Sequence, residues 1–405
     1  MADLAERIAE RIRREGPIPF DRFVDAALYD EEGGFFARGG GAGRAGRDFV
    51  TSPEVGTLFG ALVARFLDRA WTELARPDPF VVVDAGAGRG RLAADVLRAR
   101  PECARALRYV LVERSAALRA EQRELLAIEP ADRALGPTER VEPDEAPRPV
   151  TGIGPIITAL PELPALEIPD GVVVANELLD NLPFRIVERA GNRWNEIRVG
   201  LGDAGLVEVP VAAPPDIAGA ADDVAAGAAI PDGARLPVPT APIDWLASCA
   251  QVLRRGFLVV VDFADEAASL AARGQDQWLR TYRGHQRGEH PLADPGAQDI
   301  TSDVPVEHLV THARRAGFRL LEQMTQAQWL AALGIDDLAD EARGVWRERA
   351  AIGDLDAMAA RSRVSEAAAL IDPSGLGAHT VFLFGKRVRD AGEPVPAPGV
   401  RTGRS

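Results

Sequence analysis

At 405 residues the chain is longer than one small domain needs, so it forms either one large elaborated domain or two smaller ones. Hydrophobic residues at 46% and charged residues at 27% are globular proportions, and no apolar run reaches the roughly 18 residues that cross a bilayer, so no membrane partner is expected. A formal net charge of −14, with no basic run to offset it, argues against a nucleic-acid partner.

Lysine occurs once, as Lys386, which removes P-loop and Schiff-base chemistry together. Cys103 and Cys249 lie far apart without ligand spacing, so neither a disulfide framework nor a metal site is indicated. The opening MADLAERIAERIRREG alternates acids with arginines and lacks an apolar signal core; it reads as an amphipathic helix, and the expectation is a cytoplasmic protein.

Along the chain, residues 18–28 carry apolar residues at helical spacing and lead into glycines at 33–34 and 39–46, read as a mobile loop. Thr51-Ser52-Pro53-Glu54 predicts a helix start, with Ser52 as N-cap and Pro53 in the first position, running to about residue 74. Residues 80–84, 109–113, 171–175, 257–262, 318–323 and 380–386 read as buried strands, alternating with helices at 91–100 and 115–126. That alternation predicts a parallel doubly wound sheet, with ligands at the carboxyl ends of its strands. Segments 184–187, 194–199 and 206–211 predict an antiparallel meander outside that sheet. Residues 212–240 read as a loose loop, 326–370 as covering helices, and the tail after 389 as disordered. The division expected is an N-terminal helical region over 1–75, a sheet domain over 76–387 with insertions near 184–245, 264–304 and 326–370, and a tail over 388–405.

The sequence VVVDAGAGRG places Asp84 at the end of a strand, then Gly86, Gly88 and Gly90, then a helix. Glycines let the backbone turn sharply and approach a ligand, and the helix start offers peptide N–H groups to an anion. The anion is a pyrophosphate in a nicotinamide fold and the methionyl carboxylate in a methyltransferase. The third glycine of the dinucleotide fingerprint falls on Arg91, so the spacing is G-x-G-x-G. Asp84 suits an amino-acid ammonium, and Glu113, closing the next strand, suits the hydroxyls of an adenosine ribose. Both details favour S-adenosyl-L-methionine over NAD.

Eight ordered segments then resemble the MidA family of class I methyltransferases, which includes a mitochondrial complex I assembly factor with protein arginine methyltransferase activity. They are YDEEGGFF at 29–36, DFVTSPE at 48–54, the turn at 84–90, VERSAALRAEQ at 112–122, ANELLDNLP at 175–183, TYRGH at 281–285, PLADPG at 291–296 and DITSD at 299–303. Ala87 stands where the family commonly has proline. The resemblance implies an α/β fold: a Rossmann-like sheet of seven strands with N-terminal helices, a small β-meander and helical insertions. It also implies S-adenosyl-L-methionine as cofactor and a protein side chain, arginine first, as acceptor. A non-catalytic assembly factor or a small-molecule methyltransferase are the alternatives, and a homodimer is left open.

Methyl transfer from a sulfonium needs alignment, exclusion of water and a destination for a proton. Asn176 and Glu177 follow the strand at 171–175, at the sheet's carboxyl edge, where a carboxylate can hold a guanidinium by paired hydrogen bonds. Glu177, Asp180 and His285 are the candidate catalytic residues. Asp84, Gly86, Gly88, Gly90, Glu113, Asn176, Thr51, Ser52 and Glu54 are the candidate cofactor contacts. Each has a plainer reading: a capping role for Thr51, Ser52 and Glu54, a helix-dipole role for Glu177 and Asp180, and a surface position for His285. Asp294, Asp299 and Asp303 read as turn acids, and Trp194, Trp245 and Trp329 as core.

Overall fold

The structure is a computed structural model that describes residues 3–41, 50–136, 138–139 and 148–387. Helices α1 (Leu4–Glu15) and α2 (Phe20–Tyr29) open it, followed by α3 (Ser52–Val55) and α4 (Thr57–Glu73). An alternating run comes next: β1 (Phe80–Ala85), α5 (Arg91–Arg98), β2 (Leu107–Val112), α6 (Ala116–Leu125), β3 (Ile156–Leu160) and β4 (Ile168–Asn176). An excursion of β5 (Arg185–Ala190), β6 (Arg193–Gly202), β7 (Gly205–Ala212), α7 (Pro215–Ala225) and β8 (Arg235–Val238) then leaves the main sheet. The chain returns through α8 (Thr240–Val252) and β9 (Leu253–Asp262) and makes a small sheet of β10 (Leu279–Arg283), β11 (Gln286–Arg287) and β12 (Asp299–Ser302). It closes with α9 (Val306–Arg315), β13 (Arg319–Thr325), α10 (Gln326–Ala332), α11 (Ile335–Arg349), α12 (Leu355–Leu370) and β14 (Thr380–Lys386).

The main sheet is Rossmann-like, with seven strands in the order β13-β14-β9-β4-β1-β2-β3. Strands β1 and β2 are mostly apolar and wholly buried, as strands covered on both faces tend to be, with Asp84 and Arg108 as their charged residues. The expectation of a parallel sheet is corrected at one strand: β14 runs antiparallel to both β9 and β13. After β1 the chain adds β2 and β3 on one side, then crosses back to place β4 on the other. That reversal opens a crevice between the carboxyl ends of β1 and β4.

One face of the sheet packs Val82 and Tyr109 against Leu58, Phe59, Phe66 and Trp329, and the opposite face packs Val83 and Val110 in one cluster with Leu246, Leu309 and Phe318. A third core joins Phe20 and Phe23 of α2 to Ile186, Trp194 and Ile197 of the meander sheet. Trp194 and Trp329 are therefore core, as expected, and both cysteines are free and buried.

Three further expectations change. The helix after Thr51 breaks at Gly56, where a Cβ would sit 2.1 Å from the carboxyl carbon of Glu366 on α12, and Ser52 is its first residue rather than its cap. Residues 212–240 hold α7 and β8 rather than a loose loop: Ile217, Ala221 and Val224 bury one face at helical spacing, a pattern hidden among alanines. The first part of the glycine stretch is tied down by Phe35 N–H to Ala27 O and Phe36 N–H to Leu28 O, while residues 42–49 and the tail after 387 lie outside the described residues.

Candidate functional site

A cavity of about 710 Å³ fills the crevice at the topological reversal. Its wall includes the turn after β1, Glu113 after β2, residues 161–167 after β3, and Asn176 and Glu177 at the end of β4. Every one of these is a loop at a strand's carboxyl end, so the sheet itself brings together residues far apart in sequence.

The turn is left-handed at three alternate positions, with φ of 72° at Gly86, 53° at Gly88 and 80° at Gly90, which glycine adopts without strain. Its peptide N–H groups are not bare, contrary to the picture drawn from sequence. Gly86 and Ala87 donate to Val112 O at 2.9 and 3.0 Å, Gly88 to Glu113 Oε2 at 3.0 Å, and Gly90 to Ala87 O at 2.8 Å. The glycines instead make room. A Cβ on Gly88 would meet nothing within 4 Å, so this position opens directly onto the cavity. Gly90 departs from the expectation: outside the wall, it caps α5 and packs against Gln122 and Leu126. Gln122 Nε2 also donates to Gly88 O at 2.7 Å, which pins the turn from behind.

Two carboxyls flank it. Asp84 is buried, takes a hydrogen bond from the Tyr109 hydroxyl at 3.2 Å, and is pushed up to about 7 by burial, with the Glu113 charge adding to the rise. Burial likewise raises Glu113 to about 7, against the pull of N–H donors at Ser115 and Gly88. A cationic ligand beside either group would favour its charged form.

Glu177 stands at φ 51°, an uncommon conformation for a residue with a side chain, and its N–H is held by Val261 O at 2.7 Å. Its Oε1 accepts from Ser52 N–H and from Asn176 Nδ2, each at 3.1 Å. Burial pushes its carboxyl up to about 8, and the Asp180 charge adds to that. Asp262 holds the same corner from below, accepting Leu178 and Leu179 N–H at 3.2 and 2.7 Å. The left-handed turn at Glu177 is thus fixed from several sides by the hydrogen bonds around it.

Thr51 and Glu54 line the cavity; Ser52 does not. The Ser52 hydroxyl turns away to Gln326 Oε1 at 2.8 Å, so only its peptide N–H serves the site. Asp180 and His285 are also absent from this wall. Both line a second cavity of about 240 Å³, which shares Glu177 and Asn181 with the first. Asp180 is buried there, raised to about 7 by burial despite Arg280 nearby. His285, a candidate catalytic residue with a surface position as its plainer reading, is exposed on the β10–β11 turn and lines the second cavity rather than the first. Asp299 and Asp303 are buried rather than surface turn acids.

Sequence reasoning missed Tyr29, Asn181, Trp245 and residues 161–167, all in the main wall. Tyr29 carries Arg114 over its ring at 4.6 Å and donates to Asn181 O at 3.3 Å. The first two sat in quoted motifs without any chemistry assigned to them. Trp245, read as core, is half-buried and faces the cavity. β3 and its loop gave too short a signal to be read.

Known proteins resemble this chain in sequence and fold. The solved structure of a likely methyl transferase from Burkholderia thailandensis, bound to S-adenosyl-homocysteine, is 28% identical with a TM-score of 0.77 over 96% of this chain and 93% of that one. The protein arginine methyltransferase NDUFAF7 of Xenopus tropicalis, a mitochondrial protein, is 26% identical over 82% of this chain and 76% of its own. A Drosophila melanogaster homolog, also mitochondrial, is 27% identical over 50% of this chain and 45% of its own. These names overturn the cytoplasmic expectation. Helix α1 buries Leu4, Ile8 and Ile12 in the fold, and an amphipathic helix packed as a structural element carries no information about compartment. A family profile for S-adenosyl-L-methionine-dependent methyltransferases matches residues 62–324, across the glycine turn, Glu113, Asn176 and Glu177, and the chain belongs to that family, with S-adenosyl-L-methionine as its cofactor.

Proposed function

We propose that the enzyme methylates a nitrogen of a protein side chain, arginine first, with Glu177 as the residue that receives and orients it. The observation that carries this reading is the Glu177 carboxyl itself: it lies in the cofactor cavity, and its two hydrogen bonds among the described residues both end on Oε1. Oε2 is then the oxygen turned to an acceptor. The naming of curated relatives as protein arginine methyltransferases supports the choice of nitrogen.

The cavity fits the cofactor by its own features. The open space at Gly88 admits a ligand against the backbone, Asp84 suits an ammonium, and Glu113 suits ribose hydroxyls. Thr51, Glu54 and Asn176 close the wall around them. When bound, the cofactor supplies a methyl group on a sulfonium; a nitrogen lone pair takes it, sulfur keeps the electrons of the broken bond, and the nitrogen sheds a proton.

Glu177 has the protonation behaviour such an acceptor needs. A cation beside it lowers its carboxyl from about 8 and converts it to a carboxylate, which hydrogen-bonds the acceptor and stands ready for the departing proton. Burial around it excludes water, which strengthens that bond.

Incubation of the purified protein with methyl-labelled S-adenosyl-L-methionine and a lysate from cells lacking the gene tests the reading. Label in arginine of a protein band, absent with Glu177→Gln, is the expected result. Label only in small molecules, or none while the cofactor binds, rejects it.

A further inference from the structure

The second cavity has no role in the reading so far. At about 240 Å³ it falls below the roughly 300–1,000 Å³ of sites for drug-sized ligands and is the size of one side chain. Glu177, Asp180 and Asp299 bring three carboxyls to its wall, and among the described residues that line it there is no arginine or lysine. Acids alone would make only a polar hollow. Two buried atoms say more: among the described residues Asp180 Oδ1 and Thr301 Oγ1 have no hydrogen-bond partner, although Asp180 is 4% exposed and Thr301 5%. A buried polar atom left without a partner costs about 1–3 kcal/mol, so such atoms in a cavity wall point to something that occupies it.

The occupant's chemistry follows from the wall. An anion is excluded by three carboxyls. A metal ion is not favoured either, since no described group of acids, histidines or cysteines has metal-holding geometry. An organic cation remains. Phe263 and Tyr282 add aromatic rings to the wall, with Arg280 over Phe263 at 4.5 Å and Arg287 over Tyr282 at 5.7 Å. Asn181 donates to Asp299 Oδ1 and Ile300 O, each at 3.0 Å, and so holds the partition between the two cavities rigid. Glu177 is the other shared residue.

We propose that the second cavity receives the methyl acceptor as a cationic side chain, a guanidinium by preference, bound by Asp180 and Thr301 and delivered to Glu177 at the partition. The proposal rests on the protein-methylation reading but makes a separate claim about where the acceptor lies. His285, on the β10–β11 turn, also lines this cavity.

The test is binding, with protein saturated in S-adenosyl-homocysteine and titrated with N-acetyl-arginine amide or its neutral counterpart N-acetyl-citrulline amide, followed by ligand-observed NMR. The arginine compound binds, and the citrulline compound is weaker by about tenfold or more, the scale of one hydrogen bond to a charged group. Asp180→Asn and the near-isosteric Thr301→Val each weaken the arginine compound by a similar factor while S-adenosyl-homocysteine affinity, the control for folding, stays unchanged. Equal binding of the two compounds, no binding of either, or undiminished affinity in both folded variants overturns the proposal. Methylated arginine in the lysate with no effect of Asp180→Asn would remove the cavity from the account and leave the function standing. Specific guanidinium binding without any protein product does the reverse.

Discussion

Glu113 accepts the peptide hydrogen of Gly88 at 3.0 Å, so the carboxyl that flanks the cofactor cavity also holds the glycine turn in shape. Removing either partner should therefore act on the cofactor before it acts on the fold. Gly88→Val puts side-chain atoms into space that is empty to 4 Å, at a φ of 53° that costs roughly 1–2 kcal/mol for a residue with a Cβ. Calorimetry should show S-adenosyl-L-methionine affinity lost by about 100-fold or more, with a folded protein. Glu113→Ala should behave similarly. Full affinity in Gly88→Val would place the ligand elsewhere.

Glu177→Gln keeps the shape of the side chain and its amide oxygen can still take the Ser52 N–H, but it cannot become a carboxylate. Methyl incorporation should fall roughly 100-fold, in the range of a lost acid–base group, while cofactor affinity changes little. A parallel loss of cofactor binding would make Glu177 a cofactor contact instead.

Stability should depend on pH in a direction opposite to that of ordinary surface ion pairs. Asp84, Glu113 and Asp180 are raised to about 7 and Glu177 to about 8, so in the fold each keeps its proton where the unfolded chain has already lost it. Their contribution is full below the usual carboxylate range and is lost as pH rises through about 7 to 8. The melting temperature of the ligand-free protein should drop by several degrees from mildly acidic to mildly alkaline buffer, and Asp84→Asn should flatten the slope. A melting temperature that climbs over this interval contradicts the assignment.

Gln326 links three elements: its Oε1 takes the Ser52 hydroxyl at 2.8 Å, its Nε2 donates to Leu370 O at 2.9 Å, and its N–H to His379 O at 2.7 Å. Gln326→Leu leaves buried partners unsatisfied and should cost about 1–3 kcal/mol in denaturant unfolding. Because Ser52 is the residue whose N–H orients Glu177, the same variant should lower turnover more than cofactor affinity.

Gly256 in β9 lies where a Cβ would be 1.8 Å from Gly171 O, at φ 142°. Gly256→Ala forces two central strands apart and should unfold the protein at a temperature well below wild type in a thermal melt, or prevent soluble expression. A small effect would mean that the sheet yields there more readily than a hydrogen-bonded ladder should.

The sheet's inner strands could be read from the chain because wholly buried strands leave continuous apolar runs, as in FVVV of β1 and LVVV of β9. The glycine turn could be read for the same local reason, since glycine adopts positive φ at the least cost and three alternate positions here need it. Asp84, Glu113 and Glu177 followed, because each ends or follows a strand. What escaped was either short or masked by composition. β3 is five residues, IITAL, and α7 hides Ile217 and Val224 among alanines and acids.

Sequence by itself determined which loops stand at the strand ends and so which residues compete for the ligand. It could not say which way each side chain turns. Ser52 offers its N–H to the site and its hydroxyl to Gln326, Gly90 faces α6, and the peptide N–H groups of the turn are used within the fold. Nor could it show that Asp180 and His285 leave the cofactor cavity for a second one behind Glu177. Those outcomes depend on contacts between separate segments, some more than 100 positions apart, such as Ser52 with Glu177 and Asn181 with Asp299, and only the packed sheet brings them together.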